Sequence, residues 1–247
     1  LLFLLVINVI AALITVFRKP RSISSVLAWM MTLIFLPGIG FIIYLFCGRG
    51  IDGQEVFKLS DDEKQMVQRI KEKVDIDNKK AGRDKRYDLL YDAKVLNRYF
   101  RNMDASPLAK RNSLQLFTDG QEKFQALFED IRAAKETVHV EYYAFFNDTI
   151  GNQFLDVLIE KLHEGVEVYL IYDPWGSPGA NKKFFARYVD AGGKVAPFIT
   201  SRDMIRKTRL NYHLHRKIVV IDGKIGWTGG FNVGDQYLNV TAKFGYW

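Results

Sequence analysis

The sequence has a single cysteine, Cys47, so no disulfide can form within the chain. Cys47 stands at the end of an apolar run, where a cysteine more often serves as a small apolar side chain than as a reactive thiol. Histidine is also scarce, with four residues in 247. Few side chains are therefore candidates for imidazole chemistry.

Charge is missing from two stretches near the amino terminus, residues 1–17 and residues 23–47. A membrane-spanning helix needs about 20 apolar residues, so the second run is long enough and the first nearly so. The basic segment and small-residue cleavage site of a signal peptide are not visible, and the first run does not begin with Met. We therefore expect a two-helix transmembrane hairpin over residues 1–48, with the true start of the chain upstream.

Two sequence features bear on the shape and the orientation of this expected hairpin. Pro37, Gly38 and Gly40 lie inside the second run and can kink it. The positive-inside rule leaves its orientation undecided, because three basic residues fall on each side of the second run. They are Arg18, Lys19 and Arg21 before it, and Arg49, Lys58 and Lys64 after it.

The chain lacks an acidic excess: its net charge is +7 and its isoelectric point is about 9.3. On a membrane-anchored protein this balance suits an anionic bilayer surface, where each nearby Lys or Arg contributes roughly 1 kcal/mol. Nucleic acid is the other usual partner of such a charge. With 48% hydrophobic residues, the chain can also build a sizeable core beyond the apolar runs.

Residues 49–111 are rich in charge, and "DDEKQMVQRIKEK" and "YDLLYDAKVLNRYFRN" predict helices within a charged linker. Residues 112–247 alternate strand-like and helix-like segments, beginning with a short strand predicted at "LQLFTDG". This alternation predicts an α/β domain whose mostly parallel sheet is covered on both faces. Ligands of such sheets bind beyond the carboxyl ends of the strands, where the loop "DPWGSPG" is expected.

The stretch "HRKIVVIDGKIGWTGGFN" predicts a β-hairpin that turns at Asp222-Gly223. Side chains alternate along a strand, so His215 and Lys217 would share one face, about 7 Å apart at the backbone. A protonated lysine repels a metal ion, but it suits a phosphate. The lysine would neutralise phosphoryl oxygens while the imidazole attacks phosphorus, giving covalent catalysis in two displacements.

Downstream residues fit the same ligand. Gly229 and Gly230 would let the backbone approach an anion closely, and Asn232 could donate an amide N–H to it. The segment "NVGDQY" is predicted to open a helix whose amino end favours negative charge. The other histidines, at positions 139, 163 and 213, have no comparable neighbours and are expected to be structural. Taken alone, Asp222 is most simply a turn residue.

The pattern H-x-K-x4-D followed by G-G-x-N resembles the signature of the phospholipase D superfamily. The segments "LPGIGFIIYLFCGR", "EYYAFFNDTIG", "GVEVYLIYDPWGS" and "GGFNVGDQYL" are similar to those of the bacterial cardiolipin synthase family. The resemblance implies a phospholipase D-like α/β sandwich with a mixed sheet, in a bacterial cell membrane protein with two spans. It implies transfer of a phosphatidyl group between two phosphatidylglycerol molecules through a phosphatidyl-histidine, giving cardiolipin and glycerol. No metal or organic cofactor is expected.

The resemblance assigns the chemistry to His215, Lys217 and Asn232, with Asp222 in support. Glu141 and Asp173 fall near predicted strand ends, where each either holds a histidine tautomer or binds glycerol hydroxyls, or is an ordinary strand-end residue. The family pair Arg-Asn before the histidine is replaced here by His213-Leu214, which removes a polar neighbour of the site.

A second H-x-K motif is absent from the 247 residues, whereas the family builds one site from two motifs. Either this is the first half of a longer protein, or two chains pair as a homodimer. The expected partners are phosphatidylglycerol and other anionic lipids, and nucleic acid is not expected. The alternatives are a hydrolase of the same fold, acting on lipid or nucleic acid, and a half-enzyme that is inert alone.

Overall fold

A computed structural model describes residues 22–36, 38–47, 60–80, 112–200 and 212–239, with isolated positions at 10, 14, 96, 99, 245 and 246. The chain divides into two compact units, one formed by Leu1–Asp52 with Phe117–Trp247 and the other by Gly53–Leu116. The first predicted span and the helix predicted from "YDLLYDAKVLNRYFRN" fall almost entirely outside the described residues. Both remain predictions.

The second apolar run forms two short helices, α1 (Ile23–Phe35) and α2 (Ile39–Cys47), so the expectation of one continuous helix is wrong. The Ser22 hydroxyl caps α1 by accepting from the Ser25 N–H at 3.3 Å. The break has a sequence cause, since a proline at position 37 cannot donate a helical hydrogen bond and Gly38 adopts a φ of +82°. Within the described ranges, no helix combines the length and apolar composition needed to cross a membrane.

The second unit contains α3 (Asp61–Lys80), which confirms and extends the helix predicted there. Ser60 and Glu63 form a reciprocal cap: the Ser60 N–H donates to the Glu63 carboxylate at 2.6 Å, and the Glu63 N–H donates to the Ser60 hydroxyl at 3.3 Å. The first turn is acidic, which suits the positive end of the helix dipole.

Within the described residues 112–200 and 212–239, the chain forms three α-helices and a five-stranded mixed sheet in the order β3-β2-β1-β4-β5. Strands β1, β2 and β3 run parallel, β4 pairs antiparallel with β1, and β5 pairs antiparallel with β4. The elements are α4 (Gly120–Ala133), β1 (Thr137–Tyr142), α5 (Thr149–His163), β2 (Glu167–Tyr172), α6 (Lys182–Asp190), β3 (Lys194–Pro197), β4 (Lys217–Ile221) and β5 (Ile225–Thr228).

The sheet buries one face under α4, α5 and α6, which share a single hydrophobic core with it. The chain steps in one direction from β1 to β2 to β3, and right-handed crossovers in one direction place their helices on the same side. The expectation of helices on both faces is therefore not met within the residues described. The opposite face carries side chains such as His139, which is exposed, and Ile171, which is 40% exposed.

Two local predictions had opposite outcomes. The hairpin at Asp222-Gly223 is confirmed: the Lys224 N–H donates to the Ile221 carbonyl at 2.9 Å, and the two residues inside this turn have positive φ, +50° and +62°. The strand predicted at "LQLFTDG" is wrong, because residues 112–118 have no regular structure and Leu114 is 94% exposed. The end of that segment instead starts α4, where the Asp119 carboxylate accepts from the Gln121 and Glu122 N–H groups.

Candidate functional site

Four loops meet at one edge of the sheet. Because β4 runs antiparallel to β1, the amino end of β4 lies beside the carboxyl ends of β1, β2 and β5. This edge brings together residues 143–146, 173–180, 212–216 and 229–234. It is the position at which open α/β sheets bind their ligands.

His215 and Lys217 face each other at this edge. The Lys217 Nζ lies 3.4 Å from the His215 Nε2, with the imidazole exposed and the lysine only 7% exposed. Burial lowers the pKa of Lys217. At this separation the Lys217 ammonium can donate to the His215 Nε2 in the tautomer that carries its proton on Nδ1. The site therefore presents a nucleophilic nitrogen beside a fixed cation.

The Tyr143 ring packs against both His215 and Lys217, and the sequence analysis did not select this residue. Its ring centroid lies 4.7 Å from that of His215, and the Lys217 Nζ lies 5.4 Å from the ring. The Tyr143 N–H donates to the Arg216 carbonyl at 2.9 Å, which continues the β1–β4 ladder beyond the paired residues Tyr142 and Lys217. In the sequence, Tyr143 lies inside the strand predicted at "TVHVEYYAFF", whereas the observed strand ends one residue before it.

Asp173 holds the segment that carries His215. Its carboxylate is fully buried and accepts from the Leu214 N–H at 2.8 Å and from the Trp175 N–H at 2.9 Å. The His213 Nδ1 lies 3.5 Å from the same carboxylate and makes no hydrogen bond to any described residue. Asp173 therefore ties the end of β2 to the residue next to His215, and its burial keeps it from direct contact with a substrate.

The Gly-Gly-x-Asn segment lies beside the end of β1. A Cβ on Gly229 or Gly230 would meet no atom within 4 Å, so the backbone there is open to a ligand. Asn232 is buried: its Oδ1 accepts from the Ala144 N–H at 3.2 Å, and its Nδ2 donates to the Tyr237 hydroxyl at 2.6 Å. One of its two amide hydrogens is therefore already used in holding the loop. The helix predicted at "NVGDQY" is a single 3-10 turn, Asp235–Tyr237.

Ser177 is a further residue of the edge that the sequence reasoning did not select. Its buried hydroxyl accepts from the Phe145 N–H at 2.9 Å and donates to the Tyr143 carbonyl at 3.1 Å. Gly176 beside it passes so close that a Cβ would lie 2.4 Å from the Tyr143 carbonyl oxygen. The loop "DPWGSPG" thus holds the backbone of Tyr143 in place.

The side chains of Asp222 and Glu141 do not lie near those of His215 and Lys217. Asp222 lies at the other end of β4, roughly 17 Å of strand away from Lys217. Its carboxylate accepts from the N–H groups of residues 135, 136 and 137 at 2.8–2.9 Å, and these bonds lower its pKa. Glu141 pairs with Ile218, so strand alternation places it on the opposite face from Lys217.

The chain is similar to known proteins over its whole length. Residues 127–242 match the family described as "Cardiolipin synthase, PLD-like domain", and residues 3–49 match "Phospholipase_D-nuclease N-terminal". A cardiolipin synthase from Listeria monocytogenes is 40% identical over 100% of this chain and 51% of its own length. The major cardiolipin synthase of Bacillus subtilis is 38% identical over 98% of this chain and 50% of its own.

The chain therefore spans about half the length of the curated relatives it matches. Among solved structures, NucT from Helicobacter pylori is 22% identical, with a TM-score of 0.39 over 53% of this chain and 80% of its own. That level of similarity does not establish a shared fold.

Proposed function

Because the chain belongs to the phospholipase D-like family that includes the cardiolipin synthases, we propose that it carries one half of a phosphatidyltransferase site. The reaction joins two phosphatidylglycerol molecules into cardiolipin and releases glycerol. The protein acts at the bacterial cell membrane, with residues 1–48 as its anchor. The observation that carries the proposal is the approach of His215 Nε2 to Lys217 Nζ at an open sheet edge.

In the first step the His215 Nε2 attacks phosphorus, the P–O bond to glycerol breaks, and glycerol leaves with a proton. In the second step a glycerol hydroxyl of another phosphatidylglycerol displaces the imidazole and gives its proton to a base. Lys217 neutralises phosphoryl oxygens as charge builds in each transition state, and the open backbone at Gly229 and Gly230 admits the phosphate. Asn232 supports the loop and keeps one amide hydrogen for the ligand.

The step that loads the enzyme needs a general acid, and the step that unloads it needs a general base. A second motif of the same type supplies this group, either from further sequence of the same protein or from a second copy. The chain covers only 51% and 50% of the length of two relatives, which supports a second motif in further sequence of the same protein.

The proposal is tested by mixing the protein at its native length with phosphatidylglycerol vesicles and identifying the products by mass spectrometry. The matched variants are His215→Ala and His139→Ala, since His139 is exposed but lies on the other sheet face. We expect cardiolipin and glycerol from the parent and from His139→Ala, and none from His215→Ala. Phosphatidic acid in place of cardiolipin would make the protein a hydrolase, and full activity in His215→Ala would exclude the proposed site.

A further inference from the structure

The apolar segment 23–47 turns back on itself. The ring centroids of Trp29 and Tyr44 lie 4.9 Å apart at an interplanar angle of 88°, and a Cβ on Gly40 would lie 2.5 Å from the Thr32 carbonyl oxygen. In one continuous helix, residues eight and fifteen positions apart would be separated by about 12 and 22 Å along the axis. Helices α1 and α2 are therefore antiparallel, and the chain reverses between Phe35 and Ile39.

The two helices form a tight unit. Leu33 and Tyr44 are 2% and 1% exposed, so they make a small core between α1 and α2. The glycine at position 40 lets the two backbones approach closely, as small residues do between helices in lipid. The Thr32 hydroxyl donates to the Ala28 carbonyl at 2.8 Å, which satisfies this polar group inside its own helix.

The described outer surface of this hairpin is mostly apolar. Residues 23–47 contain no charged side chain. Seven large apolar residues of the two helices are each more than half exposed: Ile23, Leu27, Met31, Ile34, Phe35, Ile39 and Ile42. An exposed apolar surface of this kind suits lipid rather than water. The most exposed residues near the reversal, Phe35 at 73% and Ile39 at 62%, lie at the tip.

The charges that flank the hairpin agree with this partner. Arg18, Lys19 and Arg21 precede the segment, and Arg49, Lys58 and Lys64 follow it. In a helix that crosses the bilayer these two groups would face opposite surfaces, three against three. In a segment that reverses, the residues next to its two ends in the sequence, Arg21 and Arg49, would return to the same surface, where basic residues favour the anionic lipid of the inner leaflet.

We infer that residues 23–47 form a re-entrant hairpin that enters one leaflet tip first and returns to the surface it left, with lipid acyl chains as its partner. The 13 residues of α1 measure roughly 20 Å, so the tip lies past the middle of a hydrocarbon core about 30 Å thick if α1 stands upright. The inference does not depend on the chemistry proposed for His215.

The one cysteine of these 247 residues makes a direct test possible once any cysteine elsewhere in the native-length protein has been replaced by serine. Cys47 is exposed at the end of α2, and Ser24→Cys in a Cys47→Ser background places a thiol at the start of α1 without removing the Ser22 cap. Both proteins, at native length, are reacted with a membrane-impermeant maleimide in inside-out and right-side-out vesicles. We expect both thiols to be labelled in inside-out vesicles, with labelling several-fold lower in right-side-out vesicles. Labelling of the two thiols from opposite sides would overturn the inference.

A second variant identifies the partner. A nitroxide attached at Leu36→Cys, again with Cys47→Ser, is probed by its collisions with oxygen and with a water-soluble nickel complex. Lipid at the tip predicts high accessibility to oxygen and at least tenfold lower accessibility to nickel. Low accessibility to both would mean that protein covers the tip, and high accessibility to nickel would mean that water does; either result would overturn lipid as the partner.

Discussion

At the scale of single residues, Lys217 is expected to act mainly on the transition state. Replacing it with Met keeps the stem and removes the charge, so we expect kcat to fall about 10²–10³-fold, as for loss of one stabilising donor. Lys217→Arg keeps the charge and should retain more activity than Met. Turnover of phosphatidylglycerol vesicles measures the effect, with unfolding midpoints to show that both variants fold. Equal losses in Met and Arg would argue against a role for charge.

A second residue-scale prediction concerns Lys123, which is 8% exposed and has no carboxylate partner among the described residues. Its Nζ donates to the buried Tyr142 hydroxyl at 3.0 Å and lies 3.7 Å from the Phe124 ring centroid. Burial lowers its pKa to about 7. The unfolded chain then binds more protons than the folded one between pH 7 and about 10.4, so stability should rise with pH across that window.

The substitution Lys123→Met should remove the rise in stability with pH. It should also increase the free energy of unfolding at pH 7, because burying the uncharged Met side chain does not require removing a charge from water. Urea unfolding at pH 7, 8 and 9 provides the measurement. Lys161 is the matched control: it is 1% exposed, but it donates to the Arg132 carbonyl at 2.8 Å and pairs with Glu164. Lys161→Met should therefore destabilise the fold. Identical effects of the two substitutions would contradict this account.

Asp222 belongs to the H-x-K-x4-D pattern, yet its three backbone hydrogen bonds make it a structural residue. We expect Asp222→Asn to lower the free energy of unfolding at pH 7, since an amide cannot accept at both of its side-chain positions. The lowered pKa means that the carboxylate stabilises the fold at neutral pH and loses this effect as pH falls below about 4. The variant's unfolding should thus be less sensitive to acid. Turnover per folded molecule should stay near that of the parent, and a large loss of turnover would indicate that Asp222 takes part in the reaction.

At the scale of elements, the buried Asp173 carboxylate links β2 to the segment before β4. In Asp173→Asn, one of the two backbone N–H donors would face an amide hydrogen, so the segment and His215 should shift. A positioning role predicts that kcat falls tenfold or more while KM changes little. Asp190→Asn, an exposed substitution at the end of α6, is the control. A rise in KM with kcat unchanged would instead indicate that Asp173 acts in substrate binding.

The same scale separates what the sequence could predict from what it could not. Helices α4, α5 and α6 and the Asp-Gly hairpin follow from local periodicity and turn chemistry, and all four are observed. The two failed predictions have different causes, one in long-range packing and the other in a local break of the chain. "LQLFTDG" has a strand-like composition but finds no partner strand, and residues 23–47 are apolar enough for one span but are broken at Pro37-Gly38.

The candidate site also contains residues that the sequence could predict and residues that it could not. The pairing of His215 with Lys217 follows from their spacing, because only one intervening residue separates them. Tyr143 and Ser177 come from distant parts of the chain, and only the strand order brings them to the same edge. Glu141 shows the converse: it lies inside β1 on the face opposite Lys217, whereas Tyr143 follows the last residue of β1 and is not bound by the alternation of the strand.

At the scale of the whole molecule, the strand order sets where chemistry can take place. Two parallel crossovers and one antiparallel hairpin direct the ends of β1, β2 and β5 and the start of β4 to one edge. That edge carries an exposed imidazole, a buried lysine and an open glycine backbone. The central claim is that this edge, rather than any other surface of the chain, binds the phosphate of the substrate.

The most direct test is a crystal structure of the protein at its native length with bound vanadate, which mimics a phosphoryl group in transfer. The account predicts vanadium bonded to the His215 Nε2, with the Lys217 Nζ donating to one of its oxygens. Vanadate bound elsewhere, with His215 unoccupied at a concentration that inhibits turnover, would contradict it.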